Sequence, residues 1–141
     1  MSEREITLRE DELFNLWKQD SLYKDKTRKF VTDGVFNVDA FLAQKTKIVF
    51  VLKEAVAEEG VNGFDLRDAV GGGKYHTTWN NITRWTRVIL DNGDDDKTSW
   101  EKLKNISAKD RESALGNIAA KNIKKTYGSA SSKMDETQQY A

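Results

Sequence analysis

His76 is the only histidine in a chain of 141 residues that has no cysteine and no proline. A hydroxyl nucleophile activated through an imidazole would have to use this residue, and no histidine pair exists to share a metal. Without cysteine there is no disulfide, no thiol nucleophile and no Cys-ligated zinc or iron–sulfur centre. His76 follows Gly71-Gly72-Gly73-Lys74-Tyr75. It is a candidate general acid, and an exposed loop histidine without a role is the plainer alternative. The glycine triplet with Lys74 is not a phosphate loop, because the Gly-x4-Gly-Lys-Ser/Thr spacing is missing. The acidic run Asp91-Asn92-Gly93-Asp94-Asp95-Asp96 lacks the EF-hand spacing and the distant bidentate glutamate. It reads as a solvated turn, so neither a metal nor a cofactor is expected.

The run Lys47-Ile48-Val49-Phe50-Val51-Leu52 is β-branched, apolar, and ends abruptly at Lys53-Glu54. Strands of parallel sheets read this way when both faces are covered. In open α/β sheets, ligands bind just beyond the carboxyl ends of such strands. The segment after Leu52, with Gly60, Gly63 and the glycine triplet, is therefore the first place to look for a site. A core strand followed by an unremarkable loop is the competing reading.

The elements that must position these residues follow from periodicity. Residues 7–23 read as an amphipathic helix carrying Leu13, Phe14, Leu16, Trp17 and Tyr23. Asp33-Gly34 is a turn signal. Val38–Ala43 forms a short helix, and Asp65–Val70 a helical turn anchored by Phe64 and Leu66. Thr78–Leu90 is the strongest helix, with Trp79, Ile82, Trp85, Thr86 and Ile89 at spacings of three and four. Trp100–Ile106 and Asp110–Leu115 are shorter helical pieces, the second stopped by Gly116. Asn117–Lys124 reads as a second strand, after which the chain turns polar. A right-handed crossover pairs the two strands in parallel.

Hydrophobic residues make up 38% and charged residues 33%, with a formal net charge of +0. No global basic bias demands nucleic acid, although a local basic patch is compatible with this balance. No run is apolar enough to span a bilayer, and no secretory signal is present, so a cytoplasmic protein without a membrane partner is expected. The length suits one α/β domain over residues 1–132 with a polar tail over 133–141.

Three segments together resemble the uracil-DNA glycosylase superfamily in its divergent bacterial or phage branches. Phe50-Val51-Leu52-Lys53-Glu54-Ala55, followed by Glu58-Glu59-Gly60, is similar to the family's first motif, a strand ending in a Gly-Glu-Ala-Pro-Gly type turn. Thr78-Trp79-Asn80-Asn81-Ile82-Thr83-Arg84-Trp85 resembles the helix after the site loop in one branch. Ile118-Ala119-Ala120-Lys121-Asn122-Ile123-Lys124-Lys125-Thr126 resembles the strand that ends Asn-hydrophobic-X-Lys. The resemblance covers about Phe30 to Ser132 and rests on the order and spacing of the segments. It implies an α/β fold with an incomplete or reduced parallel sheet flanked by helices, DNA as partner, and hydrolysis of the N-glycosidic bond of a flipped base. It places Asn122 at the uracil edge, where one amide both donates and accepts. It places Glu54 where a site-facing acidic or amide residue orients water or sugar. Phe64 and Tyr75 are candidates to stack on the base. Lys121, Lys124 and Lys125, with Ser129, Ser131 and Ser132, fit a phosphate-contacting edge.

Each assignment has a structural counterpart: a strand-end asparagine, a surface Glu–Lys pair, a core Phe64 and a solvated basic edge. The chain also departs from the family pattern. Lys53 replaces a glycine, Val56 replaces a proline, and Ala55 stands where some branches carry a water-positioning aspartate. No counterpart of the family's carboxy-terminal His motif precedes Ala141, so a truncated or reduced relative is expected. A non-catalytic binding module and an interaction protein built on Trp17, Trp79, Trp85 and Trp100 stand beside the enzyme reading. Oligomeric state, base and strand preference are not encoded in any of these patterns.

Overall fold

The structure is a computed structural model and describes residues 2–57, 61–69, 76–92 and 94–128, with the side chains of Arg28, Ala69 and His76 left out. Helix α1 (Glu3–Gln19) begins four residues before the apolar periodicity does. A capping box sets this start: the Ser2 hydroxyl accepts from the Glu5 amide at 3.3 Å, and the Glu5 carboxylate accepts from the Ser2 amide at 2.7 Å. The helix ends at Asp20, whose side chain accepts from the Leu22 amide at 2.8 Å and turns the chain. Tyr23 therefore lies beyond the helix, before a 3₁₀ segment at Lys24–Lys29.

The remaining elements are β1 (Gly34–Val35), α2 (Val38–Ala43), β2 (Ile48–Leu52), α3 (Leu66–Ala69), α4 (His76–Leu90), α5 (Asp95–Thr98), α6 (Trp100–Leu103), α7 (Ala108–Leu115) and β3 (Ile118–Asn122). The sheet order is β1-β3-β2. Beyond the strand ends, the Ile123 amide donates to Leu52 O at 2.8 Å, and Val56 bridges Gly128 in parallel. The Val31 amide donates to Lys125 O at 2.7 Å, and Phe30 bridges Thr126 in antiparallel fashion. The fold is thus mixed α/β with a small mixed sheet. The expected all-parallel sheet is corrected by β1, a two-residue strand that sequence periodicity cannot register. Gly34 enters it at φ +131°, a backbone conformation that L side chains rarely adopt.

The expectation of a doubly covered β2 is also corrected. Val49 is 54% and Val51 63% exposed, while Ile48 is buried. The strand occupies an edge of the sheet, and one of its faces is left open among the described residues. Apolar continuity alone cannot tell an edge strand from a central one.

Contacts divide the chain into two compact units. The first takes in the described residues of 1–34, 50–68 and 120–141; the second takes in those of 35–49 and 69–119. The core of the first is aromatic. Phe14, Tyr23 and Phe30 are buried with Trp17 against them, and the Tyr23 and Phe30 rings meet edge to face at 5.4 Å. Each such ring contributes roughly 1.5–3 kcal/mol by leaving water.

In the second unit α4 packs on α7. Trp79, Ile82, Thr83 and Thr86 face inward, and the Trp79 ring meets Phe36 edge to face at 6.0 Å. Trp85 and Ile89, expected on the buried stripe, are exposed instead. The stripe is narrower than the apolar pattern because α7 covers only one side of α4. A second capping box starts α7, where Ser107 Oγ accepts from the Asp110 amide at 3.1 Å. The acidic run 91–96 is partly helical rather than a plain turn, with Asp94 capping α5.

Candidate functional site

The site lies within the first unit, where β2 and β3 end side by side. Side chains alternate across a strand. Along 121–125, Lys121, Ile123 and Lys125 therefore share one face, and Asn122 and Lys124 share the other. The contacts agree: the first three line one cavity, and Lys124 reaches Glu54.

Asn122 is 0% exposed. Its backbone amide donates to Asp33 Oδ2 at 2.7 Å, but neither polar atom of its side chain has a hydrogen-bond partner among the described residues. Buried side-chain amides are normally paired, and leaving one unpaired costs roughly 1–3 kcal/mol.

The Glu54 side chain is only 4% exposed. Lys124 Nζ lies 2.9 Å from Glu54 Oε2, an ionic contact rather than a well-directed hydrogen bond, since neither carboxylate oxygen has a hydrogen-bond partner among the described residues. Gly128 closes on the same carboxylate: a Cβ there would stand 2.4 Å from Oε2. A side chain at this position would force the carboxylate to move. Glu54 is thus a buried, charge-compensated carboxylate with unused acceptor capacity, unlike the surface glutamate of the simpler reading.

Lys125 is buried more deeply. Its Nζ contacts both oxygens of Asp33, at 2.7 and 2.6 Å, and Asp33 is itself buried. Burial pushes the Lys125 ammonium below the ordinary lysine value, and the Asp33 charge opposes that shift. The Tyr23 hydroxyl accepts from the Lys125 backbone amide at 3.3 Å. A solvated phosphate-contacting edge at Lys124 and Lys125 is therefore not what the fold builds. Both ammonium groups are inside and face carboxylates, Lys124 that of Glu54 and Lys125 that of Asp33. Lys121 is the exposed one of the three.

Phe64 is half-buried and stacks on Tyr127 with ring centroids 6.4 Å apart. Tyr127 donates to Val61 O. Phe64 also lines a shallow groove with Lys18, Thr32 and Asn62, apart from the residues that touch Asn122. Tyr75, Ser129, Ser131 and Ser132 lie outside the described residues, as does the side chain of His76. The sequence reading missed Asp33, taken there as a turn residue. The only available signal was a need: two lysines at 124 and 125 within an otherwise apolar strand require anionic partners.

Among the described residues no cluster of three or more acidic or histidine side chains is placed to hold a metal ion. Among the same residues no helix is long and apolar enough to cross a membrane. Comparison with known proteins finds no family model, no curated sequence and no solved structure that matches this chain.

Proposed function

We propose that this chain is a nucleobase-reading domain of the uracil-DNA glycosylase type, directed at the N-glycosidic bond of a flipped base in DNA. The observation that carries the reading is the Asn122 side chain, wholly buried at the carboxyl end of β3 with both polar atoms unpaired. Uracil presents a carbonyl and an N–H side by side, and one amide satisfies both. Pairing them recovers the cost of the orphaned amide, and that recovery helps offset the local opening a base needs to reach it.

In this reading Glu54 orients water or the sugar beside the base. Hydrolysis breaks the bond between C1′ and the base nitrogen; water supplies hydroxyl to C1′, and its proton ends on the released base. The negative carboxylate stabilises positive charge developing on the sugar. Lys124, 2.9 Å from Glu54 Oε2, holds that carboxylate in place.

One observation favours a second reading, a module that binds but does not cut. Glu54 is already compensated by Lys124 and closed over by Gly128, so its charge is partly spent.

The test uses single- and double-stranded oligonucleotides with one uracil, assayed for abasic sites by alkaline scission and for binding by gel shift. Cleavage at uracil that is lost in Asn122→Ala supports the enzyme. Uracil-dependent binding without cleavage supports the module. Asn122→Asp is expected to lose uracil binding or shift preference toward cytosine; unchanged uracil affinity in that variant sinks both readings.

A further inference from the structure

On the face of β3 opposite Asn122, the first unit contains a cavity of about 490 Å³ lined by Trp17, Asp20, Tyr23, Val51, Lys121 and Lys125, with Leu22 and Ile123. Its volume falls in the range of small-ligand sites, roughly 300–1,000 Å³. None of these side chains reads the base in the proposal above, and the sequence placed Trp17 on the apolar stripe of an amphipathic helix.

The chemistry of the lining is specific. Lys121 Nζ stands 5.1 Å and Lys125 Nζ 4.8 Å from the centre of the Trp17 ring. Lys125 is neutralised by Asp33, so its charge is committed. Lys121 has no carboxylate within ion-pair distance among the described residues and is exposed. Its only described partner is the indole face. Asp20, the one acid in the lining, accepts from the Leu22 amide through Oδ1 and keeps its negative charge. Val51 lines the same cavity and offers an apolar side chain that is exposed among the described residues. A flat aromatic wall, an apolar wall and one uncommitted ammonium together suit a planar ring attached to an anion.

We propose that this cavity is a stacking site for one nucleotide of a single-stranded nucleic acid, the base lying against Trp17 and Val51 and its phosphate on Lys121. The exchange is favourable in kind. A base stacked on an indole is worth more than an exposed ammonium resting on it, and the displaced ammonium gains a phosphate. The proposal extends the DNA reading above but uses neither Asn122 nor Glu54. It is therefore tested with uracil-free DNA, so that its failure is separable from failure of base excision.

The experiment measures anisotropy of a fluorescein-labelled ten-nucleotide oligothymidylate over a salt series, with the full chain. Lys121→Gln is expected to weaken binding several-fold and to reduce the salt slope by about 0.7, the loss of one phosphate contact on a single strand. Trp17→Leu is expected to weaken binding about fivefold or more with the slope unchanged. If Trp17→Leu does not melt cooperatively, Lys121→Gln decides alone, since its side chain is exposed. Unlabelled thymidine monophosphate and inorganic phosphate serve as competitors. Equal competition by the mononucleotide would mean a free-nucleotide site, and equal competition by phosphate a bare anion site; either overturns the proposal. Unchanged affinity and salt slope in Lys121→Gln overturn it as well.

Discussion

Asp33 organises both sides of the strand end, and its removal is the most informative single perturbation. Its carboxylate contacts Lys125 Nζ at 2.7 and 2.6 Å and accepts from the Asn122 amide at 2.7 Å, all within the buried interior. Asp33→Ala leaves an ammonium and a backbone N–H buried together. Breaking one partner of a buried ion pair costs about 3–5 kcal/mol, and an orphaned donor about 1–3 kcal/mol. The Trp17 and Phe14 rings, 4.8 and 5.9 Å from the ammonium, offset some of this. These terms overlap, so a net loss of about 3–5 kcal/mol is expected. Against a total stability of roughly 5–15 kcal/mol, that is about a fifth of the fold or more.

Urea unfolding followed by circular dichroism reads this loss directly. Asp33→Asn, which keeps an acceptor for Asn122 but not the charge, should lose less. Adding Lys125→Met to Asp33→Ala should recover stability, because it removes the unpaired charge at similar volume. A coupling energy above about 1 kcal/mol in this double-mutant cycle marks a direct interaction. A loss below 1 kcal/mol in Asp33→Ala, or a double variant weaker than the single, would refute the reasoning.

Three further outcomes are expected. Gly128→Ala should displace the Glu54 carboxylate, which a Cβ would meet at 2.4 Å, and reduce uracil-dependent cleavage or binding as Glu54→Gln does; an oligonucleotide assay of both variants checks the match. Ser107→Ala should destabilise α7 by about 1 kcal/mol, read by thermal unfolding, because it removes the acceptor of its capping box. Stability should fall in acid partly through Asp65. Burial raises its pKa, but the hydrogen bonds and charge of Arg67, with the Thr32 hydroxyl, together hold it below the ordinary 3.8. Between that lowered value and 3.8 the unfolded chain binds more protons, so this contribution is complete above 3.8 and is lost as pH falls through the folded value. Melting temperatures from pH 2 to 6 should fall less steeply in Asp65→Asn than in the parent chain.

Much of the local structure was readable from residue types. Val38–Ala43 forms its helix at the residues expected, and β2, α4 and β3 fall within a few residues of their apolar runs. Those patterns are local: a period of two or near 3.6, a capping serine, a glycine stop. The lysine-rich end of β3 and the carboxylate after β2 could also be picked out, because such residue types at a strand end are unusual.

What surrounds these residues depended on segments far apart in the chain. Lys125 and Asp33 are 92 positions apart, and only the antiparallel pairing of 30–31 with 125–126 brings them into contact. The same pairing turns an apparent basic edge into a buried ion pair. Val51 looks like core in any sequence window, yet it is exposed because β2 lies at the edge of the sheet. Residue type and spacing determined which side chains carry chemistry. Which of them are neutralised, orphaned or open to solvent was decided by strand order, since charge pairing and burial are properties of neighbours in space.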